Sequence, residues 1–103
     1  MLRFWGELSA KLDDFYGNYR EYVEHVQKFW DDYKNRDPQM ASHHLMECEA
    51  FQGNFQDAYN SLQGRWRNSE QLDKMWNMVA KSAEHLGVMN EKLDDLWDKQ
   101  KRW

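Results

Sequence analysis

The sequence is poor in the residues that interrupt helices and in the residue that cross-links small folds. Its 103 residues include one proline (Pro38), five glycines and one cysteine (Cys48). A single cysteine cannot form an internal disulfide, so we expect a core-stabilised protein in a reducing compartment, by default the cytoplasm. Since proline is nearly absent, long uninterrupted helices are possible over most of the chain.

Two further absences narrow the class of protein. No apolar run approaches the ~20 residues that a membrane-spanning helix needs, and the first residues lack the apolar core of a secretory signal. The 14 basic residues are outnumbered by 18 acidic ones, and the formal net charge is −4. We therefore expect a soluble protein with no membrane partner and no basic surface for nucleic acid.

What the chain does contain is bulky aromatic side chains among many charges. Aromatic residues make up 16% of the sequence, including six tryptophans, and charged residues make up 31%. A chain of this length buries roughly 65% of its unfolded surface on folding, which is enough for one core without cross-links. We expect a single domain spanning residues 1–103.

The first helix is predicted from apolar residues that recur three and four positions apart, which is the spacing of one helix face. Tyr16, Val23 and Trp30 add a third apolar row, as expected for a helix that contacts two neighbours. The pattern predicts a helix over about residues 3–35. Its main stripe is Trp5, Leu8, Leu12, Phe15, Tyr19, Tyr22, Val26, Phe29 and Tyr33.

Two more helices follow from the same spacing. Asp37 and Pro38 are a favoured N-cap and first-turn residue, and they predict a second helix over about 38–64. The third is predicted over about 69–102. The second stripe is Ala41, Leu45, Cys48, Gln52, Phe55, Tyr59 and Leu62. The third stripe is Leu72, Trp76, Val79, Ala83, Leu86, Asn90, Leu93 and Trp97, flanked by a further apolar row of Met75, Met89, Leu96 and Trp103.

Three long helices with short connections predict an all-α fold, an antiparallel three-helix bundle with coiled-coil-like heptad packing. In length, in number of helices and in the tryptophan on the third helix, Trp76, the layout resembles a spectrin-type repeat. The resemblance is one of architecture and implies only this arrangement of helices.

The tetrapeptide Lys-Leu-Asp-Asp occurs twice, at residues 11–14 and 92–95. In each copy the leucine falls on the apolar stripe, while the lysine and the aspartates fall on the polar side. The two copies occupy different heptad phases and have unrelated flanks. We interpret them as one structural pattern used twice, and not as a duplicated functional element.

The second helix carries the most favourable surface for a partner. Between Pro38 and Gly64 it has only three charged residues, Glu47, Glu49 and Asp57. Small uncharged side chains allow a close approach and require little desolvation. We therefore predict a protein-protein interaction module that binds another protein or a second copy of itself. The predicted contact residues are Met46, Ala50, Gly53, Asn54, Asn60, Ser61 and Gly64.

A metal-stabilised bundle is the first alternative. His25, His44 and Cys48 fall at similar heights in the predicted bundle, and residues 44 and 48 have the spacing that lets two ligands of one helix hold one ion. Imidazole and thiolate ligands favour zinc. The competing interpretation is a buried thiol beside partly exposed imidazoles, with no cofactor.

A helix-turn-helix DNA-binding unit at residues 83–96 is the second alternative. Ala83, Gly87 and Leu93 have the expected spacing of a small residue, a turn glycine and an apolar anchor. The would-be recognition helix is acidic, which makes binding to phosphates unfavourable. Finally, the sequence has no Gly-x-Ser-x-Gly elbow and no phosphate-binding glycine loop, so we expect a protein that is not an enzyme.

Overall fold

A computed structural model of the chain describes residues 2–101, with side chains described for residues 6–100. It contains three helices: α1 (Leu2–Lys34), α2 (Pro38–Gln63) and α3 (Glu70–Lys101). Each boundary lies within one residue of the predicted one, because the end signals are local. At the start of α2, the Asp37 side chain accepts a hydrogen bond from the Met40 backbone N at 3.2 Å, and Pro38 occupies the first turn.

The helices pack as the predicted three-helix bundle. α2 lies against both α1 and α3. α1 and α3 also meet through side chains: the Tyr22 hydroxyl donates to the Ser82 carbonyl at 3.4 Å. Trp30 Nε1 donates to His85 Nε2 at 3.3 Å. The assembly is elongated, with extents of 63 × 18 × 16 Å.

The core follows the predicted stripes of α1 and α2 closely. Its centre is an aromatic cluster in which Phe55 of α2 contacts Phe15, Tyr19 and Tyr22 of α1, with ring centroids 5.1, 5.5 and 5.6 Å apart. Tilted and edge-on ring contacts of this kind add to the free energy gained from burial. The predicted stripe residue Trp5 lies outside the described side chains.

The buried face of α3 is centred on the flanking row that the sequence predicts and not on the full main stripe; Trp103 of that row lies outside the described residues. Leu72, Val79, Leu86 and Leu93 are buried as predicted, but the residues buried between them lie three positions later and not four. These residues are Met75, Ser82, Met89 and Leu96. The residues of the main predicted stripe that are exposed or half-buried are Trp76, Ala83, Asn90 and Trp97. The observed orientation keeps the Asn90 amide in solvent and leaves two large tryptophan side chains at the edge of the core.

The repeated Lys-Leu-Asp-Asp segments behave as the pattern predicted. Leu12 and Leu93 are each 7% exposed, and the lysines and aspartates around them are exposed. Gly17 and Gly87 do not interrupt their helices, because α1 and α3 continue through them. Within residues 2–101, no helix is both long enough and apolar enough to cross a membrane.

Candidate functional site

The seven residues that the sequence predicts to contact a partner lie on the solvent side of α2 and at its C-cap, Gly64. All seven are exposed: Met46, Ala50, Gly53, Asn54, Asn60, Ser61 and Gly64. Met46, Ala50, Gly53, Asn60 and Gly64 follow one another at helical spacing, so they form a single line along the helix. We refer to the seven residues together as the α2 outer face.

Two properties make the α2 outer face accessible to another backbone. The Met46 side chain is 68% exposed, which makes it the most exposed of the large apolar side chains described. A Cβ atom added at Gly53 would meet no heavy atom within 4 Å, so the backbone there faces open space. Asn54 and Ser61 lie toward α1, where they line a groove with Lys11 and Asn18.

Trp76 is a surface residue that the sequence pattern placed in the core. It is 45% exposed, and its ring lies 4.9 Å from that of Tyr59 of α2, centroid to centroid. The signal that could have revealed this was available in the sequence. Its row in α3 continues through Ala83 and Asn90, and an asparagine in an apolar row indicates a face that is not buried.

A second cluster of polar side chains lies between α1 and α2. His25 of α1 and His44 and Glu47 of α2 bring one potential metal-ligand atom each within 4.8 Å of one another. The rings of His25 and His44 are 6.1 Å apart, centroid to centroid. All three side chains are partly buried, so they are held by the helices and still reach solvent.

Hydrogen bonds fix the orientation of these side chains. His44 Nδ1 donates to Asp32 Oδ2 at 2.6 Å. His25 Nε2 lies 3.3 Å from Glu47 Oε2, and His43 Nε2 lies 2.9 Å from Glu47 Oε1. The other ring nitrogen of His25, Nδ1, is buried and has no hydrogen-bond partner among the described residues.

The structure brings together two of the three ligands that the sequence predicts, His25 and His44. Cys48 lies in the hydrophobic core at 0% exposure and is not among the three converging residues of the described chain. Residues 44 and 48 lie about one helical turn apart on α2, but Cys48 is fully buried whereas His44 is only partly buried. Glu47, three positions after His44, lies on the side of α2 that meets His25.

Burial makes Cys48 chemically inert. Burial, with a smaller contribution from the nearby Glu47 and Glu49 carboxylates, raises the pKa of the thiol from its ordinary value of 9.0 to about 12. Since the thiolate is the reactive form, we expect iodoacetamide at about pH 8 to alkylate Cys48 on the order of 1,000-fold more slowly in the folded than in the denatured protein. Mass spectrometry of timed samples measures both rates, and equal rates would contradict the burial.

The same burial predicts loss of stability in alkali. Burial also raises the pKa of Tyr22, and the neighbouring Cys48 and Tyr19 add to the effect. The folded state therefore keeps protons that the unfolded state releases above about pH 9, and stability falls as the pH rises from there toward about 12. Thermal unfolding at a series of pH values should show a shallower alkaline decline in Cys48→Ala than in the wild type.

The helix-turn-helix prediction for residues 83–96 is wrong in its geometry. It requires a turn at Gly87, whereas α3 is one continuous helix from Glu70 to Lys101. The heptad pattern continues through the glycine, so burial of Leu86 and Met89 on either side holds the helix together.

The four histidines of the chain thus fall into two groups. His25, His43 and His44 surround Glu47 on the α1–α2 side, while His85 contacts Trp30 on the α1–α3 side. Comparison with known proteins gives no relative to guide the assignment: no family model, no curated protein and no solved structure matches the chain at a significant level.

Proposed function

We propose that the protein is a small helical protein-protein interaction module, acting as an adaptor, an inhibitor or an assembly subunit. Its partner is another protein or a second copy of itself, and the contact is made by the α2 outer face. The observation that carries the proposal is the exposure of all seven residues, five of which follow one line along the helix where Asp57 is the one charged residue.

The physical argument concerns the free energy of desolvation and the distance of approach. Small uncharged side chains lose few hydrogen bonds to water when they are covered. The absence of a side chain at Gly53 lets a partner backbone approach α2 closely. Met46 supplies a flexible apolar contact at one end, a role for which methionine is suited at binding surfaces.

Trp76 and Tyr59 provide a candidate anchor beside this face. Tryptophan and tyrosine are enriched among residues that carry most of the binding free energy of an interface. Tyr59 immediately precedes Asn60 of the α2 outer face. The Trp76 ring contacts the Tyr59 ring, and Trp76 remains 45% exposed. A partner that covered both the α2 outer face and Trp76 would bury an aromatic side chain at the α3 edge of the interface.

The proposal includes no catalytic role, and it places the protein in the cytoplasm. A free thiol at Cys48 suits a reducing compartment. Its burial also keeps it from forming a mixed disulfide with the partner.

Substitution of Gly53 by arginine tests the proposal. We expect Gly53→Arg to abolish partner binding, because a long charged side chain would stand in the middle of the contact. The helical circular dichroism should be unchanged, since the new side chain extends into open space. Gly17→Arg is the matched control, because Gly17 is also exposed, helical and unobstructed, but lies on α1.

The measurement is affinity capture from host lysate with wild type, Gly53→Arg and Gly17→Arg, together with sedimentation equilibrium of each. The proposal expects a retained protein, or self-association, that Gly17→Arg keeps and Gly53→Arg loses. It fails if all three proteins behave alike in both experiments.

A further inference from the structure

We propose that His25, His44 and Glu47 bind a divalent transition-metal ion, Zn²⁺, and that Asp32 positions His44 for this purpose. The site joins α1 to α2 and does not involve the α2 outer face. It shares no residue with the proposed interaction surface, so either proposal can fail alone.

The geometry of the three ligands is close to that of a zinc site. In a tetrahedral site with metal-ligand distances of about 2.0–2.1 Å, the ligand atoms lie about 3.3 Å from one another. His25 Nε2 and Glu47 Oε2 are already 3.3 Å apart. All three ligand atoms lie within 4.8 Å, so small side-chain rotations bring them to the metal-bound distances. Two histidines and one glutamate, with a water molecule in the fourth position, are a ligand set that proteins use for zinc.

Asp32 determines which nitrogen of His44 has a lone pair available for a metal. A carboxylate only accepts hydrogen bonds, so the 2.6 Å contact places a proton on His44 Nδ1. The lone pair is then on Nε2, the nitrogen that can bind a metal. Metal-binding histidines commonly donate their other N–H to a carboxylate in this way, which orients the ring and raises the basicity of the ligand.

Charge and access also favour a cation at this position. Glu47 and Asp32 bring two negative charges to a partly buried cluster, and a Zn²⁺ ion bound by neutral imidazoles balances them. The Glu47 side chain is 34% exposed, so an ion can reach the ligands from solvent.

Calorimetric titration with Zn²⁺ tests the site. The protein is purified without a histidine tag, stripped with EDTA and transferred to metal-free buffer. We expect one ion per chain, and a melting temperature that rises by roughly 10–20 °C when free Zn²⁺ is about 100 times the Kd. Added chelator should reverse the rise, because the ion binds the folded state and links two helices.

Variants assign the ligands. Asp32→Asn should weaken binding about 10–100-fold while keeping one ion per chain, as expected for a residue that acts through His44. His44→Ala and Glu47→Gln remove a ligand and should weaken it more. His85→Ala is the control, because His85 contacts Trp30 and lies outside the cluster. Circular dichroism of each metal-free variant establishes that it is folded.

X-ray absorption of the zinc-bound protein identifies the donor atoms directly. Our proposal expects nitrogen and oxygen donors and no sulfur, with affinity unchanged in Cys48→Ala. A sulfur donor would instead require Cys48 to leave the core. The proposal is overturned if Zn²⁺ neither binds nor shifts the melting temperature, or if folded His44→Ala and Glu47→Gln bind it as tightly as His85→Ala.

Discussion

Replacing Phe55 by alanine is expected to lower the free energy of unfolding by about 3–5 kcal/mol, the range for truncating a buried phenylalanine. Phe55 is 1% exposed and is the residue around which Phe15, Tyr19 and Tyr22 are arranged. The loss combines the apolar surface returned to water with a cavity that three bulky rings cannot readily fill. For a domain stable by about 5–15 kcal/mol, it is a large fraction of the total.

Urea unfolding followed by circular dichroism measures the change, and Val88→Ala serves as its control. Val88 also loses apolar atoms on truncation, but it is 43% exposed, so its variant should stay within about 0.5 kcal/mol of the wild type. Equal losses in the two variants would show that α1 and α2 do not pack around Phe55.

Replacing Gly17, Gly53 and Gly87 by alanine is expected to raise the free energy of unfolding by about 3 kcal/mol in total. Each glycine lies inside a helix, none has a positive φ, and an added Cβ meets nothing within 4 Å. Alanine restricts the unfolded chain and favours the helix, at about 1 kcal/mol per site. The sites lie on three different helices, so their effects should add.

The melting temperature reports this gain. A gain of this size corresponds to a rise of roughly 12–24 °C for a domain of about 100 residues. The reverse change, Ala80→Gly at an exposed position of α3, should lower stability by about 1 kcal/mol. A single glycine variant that loses stability would show that its helix depends on local flexibility at that position.

The sequence predicted the helices and two of the three buried faces because local signals decide them. Asp37 and Pro38 begin α2 through local contacts that do not depend on how the helix packs. In α1, the spacing of the buried residues from Leu8 to Phe29 defines the face that packs into the core. α3 is different, since Leu72 and Val79 can be paired with either of two neighbouring rows. Only the packing against α1 and α2 selects the row of Met75 over that of Trp76.

In the candidate metal site, too, some features follow from local sequence and others depend on how the helices pack. Its height in the bundle followed from helix lengths, so His25 and His44 were correctly placed near each other. The third candidate ligand depends on which side of α2 meets α1, and spacing within one helix does not contain that information. Residues 47 and 48, three and four positions after His44, both lie near it on the helix surface. The orientation of α2 about its axis brings Glu47, and not Cys48, to His25.

The elongated shape of the bundle affects how the molecule moves through solvent. Its radius of gyration is 16.7 Å, against about 13 Å for a compact domain of the same length. Friction along a rod 63 Å long gives a single chain the Stokes radius of a heavier sphere. On a gel-filtration column calibrated with globular standards, the monomer should therefore elute where a dimer would be expected, and light scattering should return the mass of one chain.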